Sequence, residues 1–154
     1  MALILFPTNL SVIKGGIVDL PLRTQYAIRA LVCLALTQGE GVLNGQRIAA
    51  LGGIPKKYVE QVMRELREGG FVQSQRGRGG GYTLSRDASA ITVLEVIETL
   101  DGPLEGLGRS RGGDSGEALL EPAWAAVRAA LRDALASETI GRMADRAALT
   151  TYQI

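Results

Sequence analysis

Glycine cuts the middle of this chain into short pieces. Gly52-Gly53, Gly69-Gly70 and Gly79-Gly80-Gly81 fall within one stretch of the 154-residue sequence. A glycine inside a helix costs about 1 kcal/mol relative to alanine, so paired glycines end helices rather than sit in them. Whatever folds between them must be short and sharply turned. Before the first pair, Asn44 is a suitable helix cap, with Leu43 and Ile48 spaced to form a hydrophobic staple over it. That predicts a short helix to about Leu51. Between the first two pairs, Pro55 suits the first turn of another helix, running to about Glu68. Its Val59, Val62, Met63 and Leu66 repeat at i, i+3, i+4 and i+7, one apolar face. Two short helices across a tight glycine turn are the pattern of a helix-turn-helix. After Gly70, residues 71–75 and 81–85 read as two strands around the cationic loop Arg76-Gly77-Arg78-Gly79-Gly80. Strand, basic glycine loop and strand directly after a helix-turn-helix describe a wing.

Three further helices complete the expected architecture. Residues 22–37 carry Ala27, Ala30, Leu31 and Leu34 on one face and end at Gln38-Gly39-Glu40-Gly41. Thr92 and Glu95 form a capping-box pair ahead of Val93, Val96, Ile97 and Leu100, and Asp101-Gly102-Pro103 closes that helix. A long helix is expected over about 119–136, with Trp124, Val127, Leu131 and Leu135 as its stripe. Ala123, Ala126, Ala130 and Ala134 lie alongside and permit close approach of a second helix. The glycine-rich 104–116 is expected to be a flexible loop. Residues 1–18 open apolar but lack a basic start and a small-residue cleavage site, so they are expected to be an N-terminal extension rather than a signal peptide.

Charge divides the chain. Residues 19–86 hold ten Lys and Arg against five acids, net +5, whereas 87–154 hold six Arg against eleven acids, net −5. The whole chain's +1 therefore conceals a basic half fit for an anionic partner and an acidic half with a different task. The exclusions come from scarcity. The chain has no His and one Cys, Cys33. That removes His-dependent catalytic triads and intrachain disulfides, and leaves an enzyme poorly supported. An unpartnered thiol suits a reducing, cytoplasmic setting. No apolar run approaches the roughly 20 residues that span a bilayer, so no membrane role is expected. The wing loop is no nucleotide cradle, because it lacks the Gly-Lys-Ser/Thr ending and leads into a strand.

The segment 53–72, then Ser74, Arg76-Gly77 and Gly79-Gly80-Gly81-Tyr82-Thr83-Leu84, resembles the Rrf-two family of bacterial transcription regulators. That family includes the iron–sulfur cluster regulator, the nitric-oxide-sensing repressor and the cysteine-metabolism repressor. Arg23-Thr24-Gln25-Tyr26-Ala27-Ile28-Arg29-Ala30-Leu31 and Ile91-Thr92-Val93-Leu94-Glu95-Val96-Ile97-Glu98 match as well. The resemblance covers about residues 19–103 well and the last long helix loosely. It implies a mainly α fold with a small β wing: a winged helix-turn-helix (19–86) followed by a dimerisation and sensing region (87–154). It further implies a homodimeric DNA-binding regulator, expected to be a repressor, acting on a near-palindromic operator in double-stranded DNA. Family members start close to the position of Val18, so residues 1–17 depart from the pattern.

The candidate DNA contacts are Lys56, Lys57, Tyr58, Glu60, Gln61 and Arg64 on the second helix of the motif and Arg76 and Arg78 on the wing. A helix fits the major groove, where a carboxylate can accept from cytosine N4 and an amide can pair with adenine. Guanidiniums on a glycine loop can meet phosphates or enter the minor groove. The resemblance assigns Tyr58 and Glu60 to positions that touch DNA; the competing reading of Glu60 is an ion pair with Arg64 one turn on. Pro55 stands where the family usually has Ser, which points to a different target sequence. Trp124, Val127, Leu131 and Leu135 are the candidate dimerisation residues. The cluster-binding relatives place three Cys in the region 101–117, where this chain has none. Clusters need about four thiolate or imidazole ligands, so neither cluster nor other metal or cofactor is expected. Cys33 is read first as a buried structural thiol, with a redox switch as the alternative. Glu95, Glu98 and Asp101 are read as a solvated helix face. An unidentified effector or partner protein is left open, and the rival to a DNA-binding regulator is an interaction module of the same fold.

Overall fold

The computed structural model describes residues 20–106 and 116–151. The extension 1–18 and most of the 104–116 loop lie outside the described residues. The described elements are α1 (Leu22–Leu36), α2 (Gly45–Gly52), α3 (Lys56–Glu68), β1 (Val72–Gln75), β2 (Gly81–Leu84), α4 (Val93–Asp101), α5 (Glu117–Ser137) and α6 (Ile140–Thr151), with short 3₁₀ turns at Ala88–Ala90 and Leu104–Gly106. The fold is mainly helical with one small antiparallel sheet, as the sequence predicts.

The helix-turn-helix forms by the local chemistry expected of it. The Asn44 side chain accepts from the Arg47 backbone N–H at 2.9 Å, while Leu43 and Ile48 are both buried. Gly53 ends α2 in the left-handed conformation at φ 59°, which a residue with a Cβ adopts only at a cost. Pro55 sits at the N-cap of α3, one position earlier than its usual first-turn place. Val59, Val62, Met63 and Leu66 are the buried face of α3.

The wing pairs Val72 with Leu84 and Gln75 with Gly81. A third segment joins it, because Leu43 and Tyr82 exchange backbone hydrogen bonds of 2.9 and 3.0 Å. The entry to the helix-turn-helix is thereby sewn to the wing. This junction explains Gly81. A Cβ there would lie 2.5 Å from the Leu43 carbonyl oxygen.

Packing crosses the charge boundary. One core holds Leu31 of α1, Met63 and Leu66 of α3, Phe71, Ile91, Ile97 of α4 and Ile140 of α6. The helix α6 has no counterpart in the sequence reading. Its inward residues are Ile140, Ala144 and Ala147, correctly spaced but with only one large side chain, so the pattern gives a weak signal. Two backbone bonds dock the α5–α6 junction onto the approach to α4: Val93 N–H to Glu138 at 2.9 Å and Ile140 N–H to Ile91 at 2.9 Å.

The acids of α4 are not a solvated face. Glu95 pairs with Arg86 at 2.5 Å, Glu98 with Arg132 of α5 at 2.5 Å, and Asp101 with Arg23 of α1 at 3.0 Å. Asp101 also accepts from the buried Thr24 hydroxyl at 2.5 Å. Each carboxylate ties α4 to a different neighbour, which sequence spacing alone cannot reveal. Thr92 caps α4 as expected, accepting from the Glu95 N–H, but the Glu95 carboxylate is turned to Arg86.

Candidate nucleic-acid interface

The amphipathic pattern of α3 sorts its side chains by period. With one face in the core, Lys56, Lys57, Tyr58, Glu60, Gln61 and Arg64 are all exposed on the remainder. No acid occupies the first turn and no side chain caps it. The helix therefore presents unsatisfied N–H groups and two lysines at its positive end, an arrangement suited to phosphate. At the wing tip Arg76 and Arg78 are exposed on a turn in which Gly77 and Gly79 take positive φ, and Gly80 N–H donates to the Gly77 carbonyl at 2.9 Å.

The charge is free where it is needed. Three cations of the basic half are committed to carboxylates: Arg23 to Asp101, Arg47 to Glu40 and Arg86 to Glu95. Among the described residues, Lys56, Lys57, Arg64, Arg76 and Arg78 make no ion pair. The expected alternative for Glu60 is likewise not formed, since no ion pair joins it to Arg64. Gln61 differs. Its amide donates to the Glu65 carboxylate at 3.1 Å and must leave that partner to read a base.

Sequence reasoning passed over two residues at this surface. Tyr26 of α1 stacks on Tyr58, ring centroids 5.6 Å apart and planes 29° apart. The Arg29 guanidinium lies 5.7 Å from the Tyr26 ring centre, and Lys57 Nζ lies 4.9 Å from that of Tyr58. Both α1 residues belong to the segment that carries the family resemblance, but only the folded chain sets them beside α3.

The proposed dimerisation stripe is divided. Trp124, Leu131 and Leu135 are half-buried within the chain itself, and Leu135 packs on its core. Val127 is 47% exposed. A second apolar face, Leu119, Ala123, Val127, Ala130 and Ala134 at i, i+4, i+8, i+11 and i+15, is exposed along α5. Pro122 lies inside this helix, with no N–H to give the carbonyl four residues back.

Cys33 is fully buried in α1. Burial pushes its thiol up to about 12, only partly opposed by the Arg29 charge. It is a protonated, enclosed group at neutral pH. With one such thiol and no His in the chain, the donor set does not fit an iron–sulfur cluster. Among the described residues no group of three His, Cys, Asp or Glu converges to hold a metal ion.

The comparisons with known proteins agree with this geometry. A family model described as "Rrf2: Iron-dependent Transcriptional regulator" matches residues 20–146. An HTH-type transcriptional regulator IscR of Escherichia coli is 36% identical over 124 residues, covering 77% of this chain and 75% of its own. A Mycobacterium tuberculosis protein named as an HTH-type transcriptional regulator is 35% identical over 126 residues, with 79% and 78% covered. The solved structure of CymR, the global cysteine regulator of B. subtilis, superposes with a TM-score of 0.73 at 29% identity, covering 84% of this chain and 98% of its own.

Proposed function

The chain belongs to the Rrf2 family of transcriptional regulators, and we propose that it is a homodimeric repressor that reads a near-palindromic operator without an iron–sulfur cluster. Its relatives are transcription regulators, not enzymes. The observation that carries the DNA reading is the set of exposed, unpaired cations on α3 and the wing, beside Tyr58 and Glu60. In this reading α3 enters the major groove. Glu60 and Gln61 meet base edges, Lys56, Lys57 and Arg64 meet phosphates, and Arg76 and Arg78 reach the neighbouring backbone or minor groove. Residues 19–86 form the reader and residues 87–154 the dimerising and sensing part.

The dimer reading rests on α5. Alanines interleaved with Leu119 and Val127 along an exposed helix face let a second helix approach closely, and an apolar face of that length is unusual on a monomer. Two copies joined there set two α3 helices on half-sites about one DNA turn apart. A dimer so placed occludes its operator, which is the basis of repression. The missing ligands support a cluster-free regulator whose signal is another effector or a partner protein. No helix among the described residues is long and apolar enough to cross a membrane, and we place the protein in the cytoplasm with its DNA.

Selection of sheared genomic DNA by the purified protein tests this reading. Enrichment of fragments sharing a two-fold symmetric motif is expected. Recovery of bulk DNA only, by a folded dimeric sample, would contradict it.

A further inference from the structure

We infer that α1 is a working part of the DNA reader: Tyr26 is a positioning residue for Tyr58, and Arg29 supplies a phosphate contact of its own. This rests on the DNA-binding reading above and adds a second helix to it.

Tyr58 stands in the first turn of α3, which has no side-chain cap, and is 38% exposed. Left alone, a ring there would sample several rotamers, and fixing one on DNA would cost binding free energy. The Tyr26 ring removes that freedom before DNA arrives. At 5.6 Å and 29° the two rings are in the offset-stacked range, and Tyr26 rises from a helix anchored by its buried neighbours Ala27 and Ile28. A preorganised Tyr58 in turn holds Lys57, whose Nζ lies 4.9 Å from the ring centre. The stack thus connects a rigid core helix to a hydroxyl and an ammonium at the groove.

Arg29 is the cation of α1 that the ion-pair pattern leaves available. Its helix partner Arg23 is bound to Asp101 and the Leu100 carbonyl. Arg29 makes no ion pair among the described residues. It lies against the Tyr26 ring, and its Nη1 is 3.9 Å from where a Cβ would stand at Gly53, the turn between α2 and α3. A guanidinium lying against an aromatic ring keeps N–H donors that a phosphate can take. Its place at that turn puts it next to the positive end of α3, so the phosphate that meets Lys57 would have Arg29 nearby.

The test is a fluorescence-anisotropy titration with the operator fragment recovered by genomic selection. Tyr26→Leu is expected to weaken binding about three- to tenfold, the usual range for losing an aromatic pair. Tyr26→Phe keeps the stack and should stay within about twofold of the wild type. The double variant Tyr26→Leu/Tyr58→Leu should bind no worse than Tyr58→Leu alone, because a positioning residue has nothing left to position. Arg29→Gln should flatten the slope of log affinity against log salt by about one per phosphate lost. Independent, additive effects of the two tyrosines, or an unchanged slope in Arg29→Gln, would overturn the inference. If Tyr26→Leu melts early, Tyr26→Met replaces it with a side chain of similar reach and no ring. Intact binding by Lys57→Ala and Tyr58→Leu would instead sink the assignment of α3 as the reading helix, and no operator recovered by a folded dimer would sink the DNA reading, so the failures are separable.

Discussion

Replacing Gly81 by Ala perturbs the junction where the wing is hydrogen-bonded to the entry of the helix-turn-helix. The new Cβ would lie 2.5 Å from the Leu43 carbonyl oxygen and 2.9 Å from the Asn44 nitrogen. Ordinary contact needs about 3.5 Å, so the two segments must part by about 1 Å. That stretches the paired Leu43 and Tyr82 bonds, now 2.9 and 3.0 Å, beyond useful length. Two backbone bonds at about 1 kcal/mol each and an overpacking strain of about 1 kcal/mol give a loss of about 3 kcal/mol. Against a typical stability of 5–15 kcal/mol this is large, and it lowers the melting temperature by about 10 °C. Thermal unfolding by circular dichroism at fixed protein concentration measures it. Gly79→Ala is the control, because its Cβ meets nothing within 4 Å and only its φ of 79° is strained, at about 1 kcal/mol. Operator affinity should fall with Gly81→Ala, since the Arg76–Arg78 tip loses its mount. A melting temperature within about 2 °C of the wild type would refute the reasoning.

Other perturbations probe the core, the thiol and the outer helix. Ile140→Ala empties a fully buried site at the start of α6 and should cost about 3 kcal/mol in urea unfolding; a loss under about 1 kcal/mol would show that α6 does not close the core. Because burial raises the Cys33 pKa to about 12, the folded state favours the protonated thiol. Its contribution to stability is complete below the unfolded value of 9.0 and declines as pH rises toward 12. The wild type should lose stability between pH 9 and 12 faster than Cys33→Ala does, and the native thiol should resist alkylation at pH 8 until the chain unfolds. Val127→Asp places a charge in the exposed face of α5 and should weaken self-association at least about tenfold in sedimentation equilibrium, with the monomer still folded.

Much of this protein is legible in its sequence because glycine and helix periodicity are local signals. The glycine pairs marked both ends of α3 and the wing, and Asn44 and Thr92 announced the starts of α2 and α4. The misreadings are long-range. The face of α6 is carried by Ala144 and Ala147, whose small side chains give periodicity little amplitude, so the pattern does not predict the helix. Glu95, Glu98 and Asp101 looked solvated because their partners Arg86, Arg132 and Arg23 come from three other places in the fold. Tyr26 and Arg29 read as part of an ordinary helix until α3 folded against them. On α5 the stripe of large residues carries the stronger periodic signal, yet Leu135 serves the chain's own core, and it is the alanine face that stays open.

The central claim is that DNA is held by the exposed cations of α3 and the wing rather than by net charge, which is only +1. The slope of log affinity against log salt reads the phosphates directly. With Lys57→Ala, Arg76→Ala and Arg78→Ala combined, a dimer loses three contacts on each protomer. At about 0.9 per phosphate the operator slope should become shallower by about 5, with a large loss of affinity at low salt. The wild-type slope and affinity persisting in the folded triple variant would contradict the account.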